Sequence, residues 1–92
     1  MKEINLLDAF LQLKTTEEVE KFLKDLCTPQ EIESLKERWK VCQYLENTEL
    51  SYREIHQKIG ASVTTIGRVA RFLKDEPYKG YKIVLERLKG KK

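Results

Sequence analysis

Histidine occurs once in these 92 residues, cysteine and proline twice each and glycine four times, and no stretch alternates apolar and polar residues long enough to make a strand. Each scarcity excludes something. Cys27 and Cys42 have no His or Cys partner at metal-ligand spacing, which argues against zinc and leaves two reduced, buried thiols as the expectation, with a redox switch as the alternative. His56 has no cysteine or carboxylate arrangement around it that specifies a triad or a metal site, so no catalytic residue and no metal ligand is assigned. No signal-peptide pattern, long apolar span or lipidation motif is present, which predicts a cytoplasmic chain without a membrane partner.

What is there is short and charged. Ninety-two residues make a single domain, 1–92, whose isolated core would bury only roughly 60–65% of its unfolded surface, so a partner is welcome. Ile4, Leu6, Leu7, Phe10, Leu11 and Leu13 cover more than one stripe of a helix at about 100° per residue, which implies burial on more than one side. A second protomer or a central position within a monomer would each supply it, and the short chain favours the homodimer, with residues 1–47 as dimerisation and core helices.

The pattern predicts an all-α chain of about six helices. The first runs near Ile4 to Leu13. The second starts at Thr15, with Glu18 closing a capping box and Val19, Phe22, Leu23 and Leu26 as its apolar face, and stops near Cys27. Thr28, Pro29 and Glu31 make a strong start for a third, through Ile32, Leu35, Trp39, Cys42 and Leu45, ending at Asn47 or Thr48. Trp39 reads as a core anchor rather than a ligand-stacking ring. Asp75-Glu76-Pro77 breaks the fifth helix, and a last one follows over 78–89 with Tyr81, Val84, Leu85 and Leu88 on one face.

Between Ser51 and Leu73 two short amphipathic segments meet at Ile59-Gly60-Ala61, the pattern of a helix-turn-helix over 51–73. Ser51 and Glu54 form a capping box, Ile55 and Ile59 share the buried face, and Tyr52, Arg53, His56 and Lys58 stay more exposed. Gly60 ends the first helix because a left-handed residue costs least without a Cβ, Ala61 is small where the helices cross, and Ser62 caps the second. A packing corner with no ligand would show the same glycine. The surface chemistry argues otherwise: Ser62, Thr64, Thr65 and Gly67 let a helix front approach base edges, and Arg68 and Arg71 suit phosphates or base acceptors.

Charge separates along the chain. Residues 51–92 carry 11 Lys and Arg against 4 Asp and Glu, whereas residues 1–50 carry 7 against 11, so the overall +3 conceals a cationic half. That half holds the motif, as phosphate attraction requires, although the run Lys89-Gly90-Lys91-Lys92 reads more simply as a solvated tail. The expected contacts are Arg53 and His56 to the DNA backbone, Ser62, Val63, Thr64 and Thr65 to bases with Gly67 permitting close approach, and Arg68 orienting the helix, binding phosphate, or both.

Ser51-x-Arg53-Glu54-Ile55, Gly60-Ala61 and Val63-Thr64-Thr65-Ile66-x-Arg68 resemble the reading head of the tryptophan repressor family, and Thr28-Pro29-x-Glu31 with Arg38 resembles its long central helix. The resemblance covers roughly residues 26–74 and is stronger for the YerC/YecD branch of small regulators, through Asp25-Leu26-Cys27-Thr28, Gly60-Ala61-Ser62 and Arg68-Val69. It implies an intertwined homodimer, a bacterial-type repressor whose two reading heads lie roughly 34 Å apart on a pseudo-palindromic operator of double-stranded DNA. It also implies a corepressor site in which Arg38 and Arg68 flank an indole and Thr28 lies at the rim. Val69 and Phe72 depart from the family's glycine and serine at that site and add apolar volume where extra atoms cost about 1–3 kcal/mol. The expectation is therefore weak or absent L-tryptophan binding and no required cofactor, with an unidentified small-molecule effector left open. Two rival functions remain at this point, a protein-interaction adaptor and a small-molecule sensor that keep the helix-turn-helix shape.

Overall fold

A computed structural model describes residues 1–90, and among them every regular element is helical: α1 (Leu6–Phe10), α2 (Thr16–Leu26), α3 (Pro29–Asn47), α4 (Tyr52–Ile59), α5 (Val63–Lys74) and α6 (Gly80–Lys89). Lys91 and Lys92 of the basic run lie outside the described residues. The chain divides into two compact units, Met1–Ser34 and Leu35–Lys92, with the division inside α3.

In the first unit, local hydrogen bonds set the helix ends. Asn5 caps α1 by accepting the Asp8 amide at 2.9 Å, so the helix starts later than the apolar run beginning at Ile4. It also stops early. Gln12 N–H donates to the Ala9 carbonyl and Leu13 N–H to the Phe10 carbonyl, three residues back in each case, and this tightened turn closes α1 well short of the expected Leu13. Thr15 caps α2 by accepting the Glu18 amide at 3.1 Å, while the Glu18 carboxylate reaches back to the Lys14 amide at 2.8 Å. Phe10 and Phe22 meet edge to face, with centroids 5.2 Å apart. No residue of α1 or α2 is buried, and Ile4, Leu7 and Leu11 are 72%, 74% and 79% exposed, so the two-sided burial expected of this segment is not met within one chain.

The core lies in the second unit. Val41 and Cys42 of α3, Ile55 of α4, Ala61 of the turn, Ile66, Val69 and Leu73 of α5 and Leu85 of α6 are buried together, with Trp39, Tyr44, Leu45, Leu50, Ile59 and Tyr81 packed around them. The α5 residues recur at three- and four-residue spacing, which gathers them on one face, and α5 packs against both α4 and α6. Full burial of each of these aliphatic side chains contributes about 1.5–3 kcal/mol. Cys42 is buried as expected, whereas Cys27 is only half-buried.

The last helix begins at Gly80, two residues later than expected, because Lys79 takes a left-handed conformation (φ 65°) that a helix interior cannot contain. Leu85 is the one buried residue of α6, and Val84 and Leu88 of the expected apolar face remain about half exposed. A Lys89–Glu46 ion pair at 3.3 Å links the end of α6 to that of α3.

Candidate nucleic-acid interface

The corner between α4 and α5 is assembled from reciprocal local bonds. Ser51 Oγ accepts the Glu54 amide at 3.1 Å, and the Glu54 carboxylate accepts the Ser51 amide at 2.8 Å, which holds that carboxyl below its ordinary 4.5. Gly60 ends α4 at φ 77°, the left-handed position that the sequence anticipates. Ala61 follows, fully buried, where a larger side chain would wedge α4 away from α5. His56 is exposed, but its ring also serves the corner: Nδ1–H donates to the Ala61 carbonyl at 2.6 Å and leaves Nε2 for another partner.

The front of α5 is bare. Ser62, Val63 and Thr64 are exposed, Val63 to 56%, and Thr65 is half-buried. Ser62 caps the helix by accepting the Thr65 amide at 3.0 Å and donates its own hydroxyl proton to Thr65 Oγ1 at 3.0 Å. Its donor is thereby used locally. The Thr65 hydroxyl keeps its proton for an outside acceptor, and Thr64 keeps its whole hydroxyl exposed. A Cβ placed on Gly67 would meet nothing within 4 Å, so no internal contact explains a glycine there, and in mid-helix glycine costs about 0.5–1 kcal/mol relative to alanine.

The cations differ in what holds them. Arg53 and Arg68 are exposed, and Arg71 has its Nε 3.4 Å from the Glu76 carboxylate. Arg68 lies over the Phe72 ring, 4.5 Å from its centroid. Arg38 and Arg68 both act on the Tyr81 phenol, whose pKa is nonetheless raised, first by burial and then by Cys42. Burial, aided by Glu46, pushes the Cys42 thiol up to about 11. An open cavity of about 440 Å³ lies between α5 and α6, lined by Arg68, Phe72, Tyr78, Lys79, Gly80, Tyr81 and Val84. Thr28, assigned to a ligand rim by resemblance, belongs to the first unit, where its hydroxyl accepts the Glu31 amide at 3.1 Å and its amide donates to the Glu31 carboxylate at 2.8 Å. The aromatic and ionic engagement of Arg68 and Arg71 escaped sequence reasoning, although the Arg68–Phe72 spacing of four residues was a usable signal.

Among the described residues no group of three or more His, Cys, Asp or Glu is placed to hold a metal, and no helix is long and apolar enough to cross a membrane. Six helices with a glycine corner and a bare, short-side-chain helix front define the class of helix-turn-helix proteins. The chain belongs to the Trp repressor protein family, which it matches over residues 3–89, an all-α family of DNA-binding transcription regulators rather than of enzymes. It is 39% identical over 89 residues to YerC, an uncharacterized protein of Bacillus subtilis (strain 168), covering 96% of this chain and 84% of that one. It is 32% identical over 76 residues to a Trp operon repressor homolog of Xylella fastidiosa (strain M23), covering 83% of each. The crystal structure of a TrpR like protein from Eubacterium eligens ATCC 27750 superposes with a TM-score of 0.81 at 42% identity, covering 90% of this chain and 84% of that one.

Proposed function

We propose that the chain is a sequence-specific repressor that binds double-stranded DNA as a homodimer and reads a pseudo-palindromic operator in the major groove with α5. The observation that carries this reading is the uncovered front of α5, where Ser62, Val63 and Thr64 are exposed and Gly67 faces open space beside the cationic Arg68. Short side chains let a helix settle between the strands, the Val63 methyls suit a thymine methyl, and the Thr64 and Thr65 hydroxyls reach base edges directly or through water. Arg53, and His56 through Nε2, contact phosphates nearby. The relative named as a Trp operon repressor homolog supports repression as the outcome, and work on chromosomal DNA requires a cytoplasmic location.

The exposed apolar residues in and around α1 support the homodimer, since a second copy would cover Ile4, Leu7 and Leu11. The same dimer sets the two reading helices roughly 34 Å apart. No cofactor is required and L-tryptophan binds weakly or not at all, a reading supported by the Val69 side chain, which is 1% exposed in the core, and by the Phe72 ring already against Arg68.

Selection of bound duplexes from a random pool, followed by affinity measurements over a range of salt, tests this function. About six phosphate contacts per dimer give a slope of log K against log salt near −5. A flat salt response, or equal affinity for all duplexes at low salt, overturns the proposal in favour of a protein-interaction adaptor. Tight binding of a small molecule that leaves DNA affinity unchanged favours a sensor instead.

A further inference from the structure

The last two turns of α5 carry an aromatic and cationic cluster that core packing does not require. The guanidinium carbons of Arg68 and Arg71 lie 4.5 and 5.0 Å from the centroid of the Phe72 ring. That ring stacks on Tyr78 of the α5–α6 turn, with centroids 6.2 Å apart and planes 18° from parallel. The two arginines differ in what else holds them: Arg71 is paired with Glu76, whereas among the described residues no carboxylate pairs with Arg68.

A guanidinium that rests against a ring still carries N–H groups at its outer edge, where they can fork onto a phosphate. An unsupported arginine has several rotatable bonds to immobilise when it binds, and that loss of freedom weakens the contact. The Phe72 ring restricts Arg68 beforehand, and Tyr78 in turn braces Phe72. Glu76 diverts Arg71 from competing for the same phosphate.

We propose that Phe72 is the positioning residue for Arg68, an aromatic rest built into the chain that orients this cation for DNA phosphate without a bound effector. The inference rests on the DNA-binding reading above. It assigns Phe72 no contact with DNA; it acts only through Arg68.

The test uses the full chain and the duplex that the wild type selects from a random pool, with affinity followed against salt for wild type, Phe72→Leu, Phe72→Tyr, Arg68→Ala and the Phe72→Leu/Arg68→Ala pair. Phe72→Leu is expected to lose about 3- to 10-fold in affinity and, with two protomers, to flatten the salt slope by about one to two units. Phe72→Tyr keeps the ring and restores both. In the Arg68→Ala background Phe72→Leu has little further effect, because the other arginine on the ring, Arg71, is also held by Glu76. An affinity loss with unchanged slope, or losses that add in the double variant, marks Phe72 as packing only and overturns this inference alone. A wild type that binds DNA without salt dependence defeats the DNA-binding reading itself. Should Phe72→Leu unfold, the wild-type Arg68 Nε–Hε resonance decides: displacement by the ring current supports the rest, and a position among the other exposed arginines overturns it.

Discussion

The Ser62 hydroxyl both receives the Thr65 amide and donates to the Thr65 hydroxyl, each at 3.0 Å, so Ser62 spends its donor locally while Thr65 keeps its own proton for an outside acceptor. Variants along the front of α5 therefore part company. Ser62→Ala removes the cap of α5 and is expected to cost about 0.5–2 kcal/mol in urea denaturation. Thr64→Ala, at an exposed position without a capping role, is expected to leave stability within about 0.5 kcal/mol while changing the ranking of operator duplexes in competition binding.

Gly67 gives a prediction in which stability and function move oppositely. Its added Cβ would meet nothing within 4 Å inside the protein, so Gly67→Ala is expected to stabilise the fold by about 0.5–1 kcal/mol. The same methyl stands where α5 approaches DNA, and operator affinity is expected to fall. Thermal denaturation and operator titration of one variant check both halves, and unchanged affinity would remove Gly67 from the interface.

Gly60 tests the corner without the complication of a clash. At φ 77° with open space around it, Gly60→Ala pays for backbone conformation alone, about 1–2 kcal/mol, measurable as a lower midpoint in urea at unchanged slope. A loss well beyond this would mean that the turn rearranges.

The two thiols are expected to separate by alkylation. At mildly alkaline pH iodoacetamide modifies half-buried Cys27 first, and Cys42 reacts only as the protein unfolds, by mass spectrometry of timed samples. Because the Cys42 pKa is raised from 9.0 to about 11, the folded state favours its neutral form. That contribution is complete below pH 9 and is lost as pH rises through 11, and Cys42→Ala should remove this part of the alkaline decline.

The acid limb has the opposite sign. Glu54 is held below its ordinary 4.5 by its bonds to Ser51, so its contribution to the capping box is present above that pH and disappears as pH falls through the lowered value. Glu54→Gln should make the stability of α4 less sensitive to pH in that window, measured by helicity against pH.

Local chemistry was legible in the residues wherever a bond partner lies within a turn of its residue. Ser51 with Glu54, Thr28 with Glu31, the glycine at 60 and the break at Asp75 follow from such short-range preferences, and so does the apolar face of α5. The bounds of α1 and α6 did not follow, because the tightened turn after Phe10 and the left-handed Lys79 are backbone choices that hydrophobic spacing does not encode. The pairing of Arg71 with Glu76 was equally silent, since it depends on the end of α5, where the Asp75 and Glu76 amides both donate to the Arg71 carbonyl.

The residues by themselves determined six helices, the caps at Thr15, Thr28, Ser51 and Ser62, the corner at Gly60 and the short polar front of α5, because each depends on neighbours within about one helical turn. Only the tertiary structure decided which cations stay free, that Phe72 lies against Arg68 and Tyr78, and that Gly67 has empty space before it. Those outcomes depend on how α5 meets α6 and the turn between them, and the energy of a side chain in such a place is set by what packs beside it rather than by its own identity.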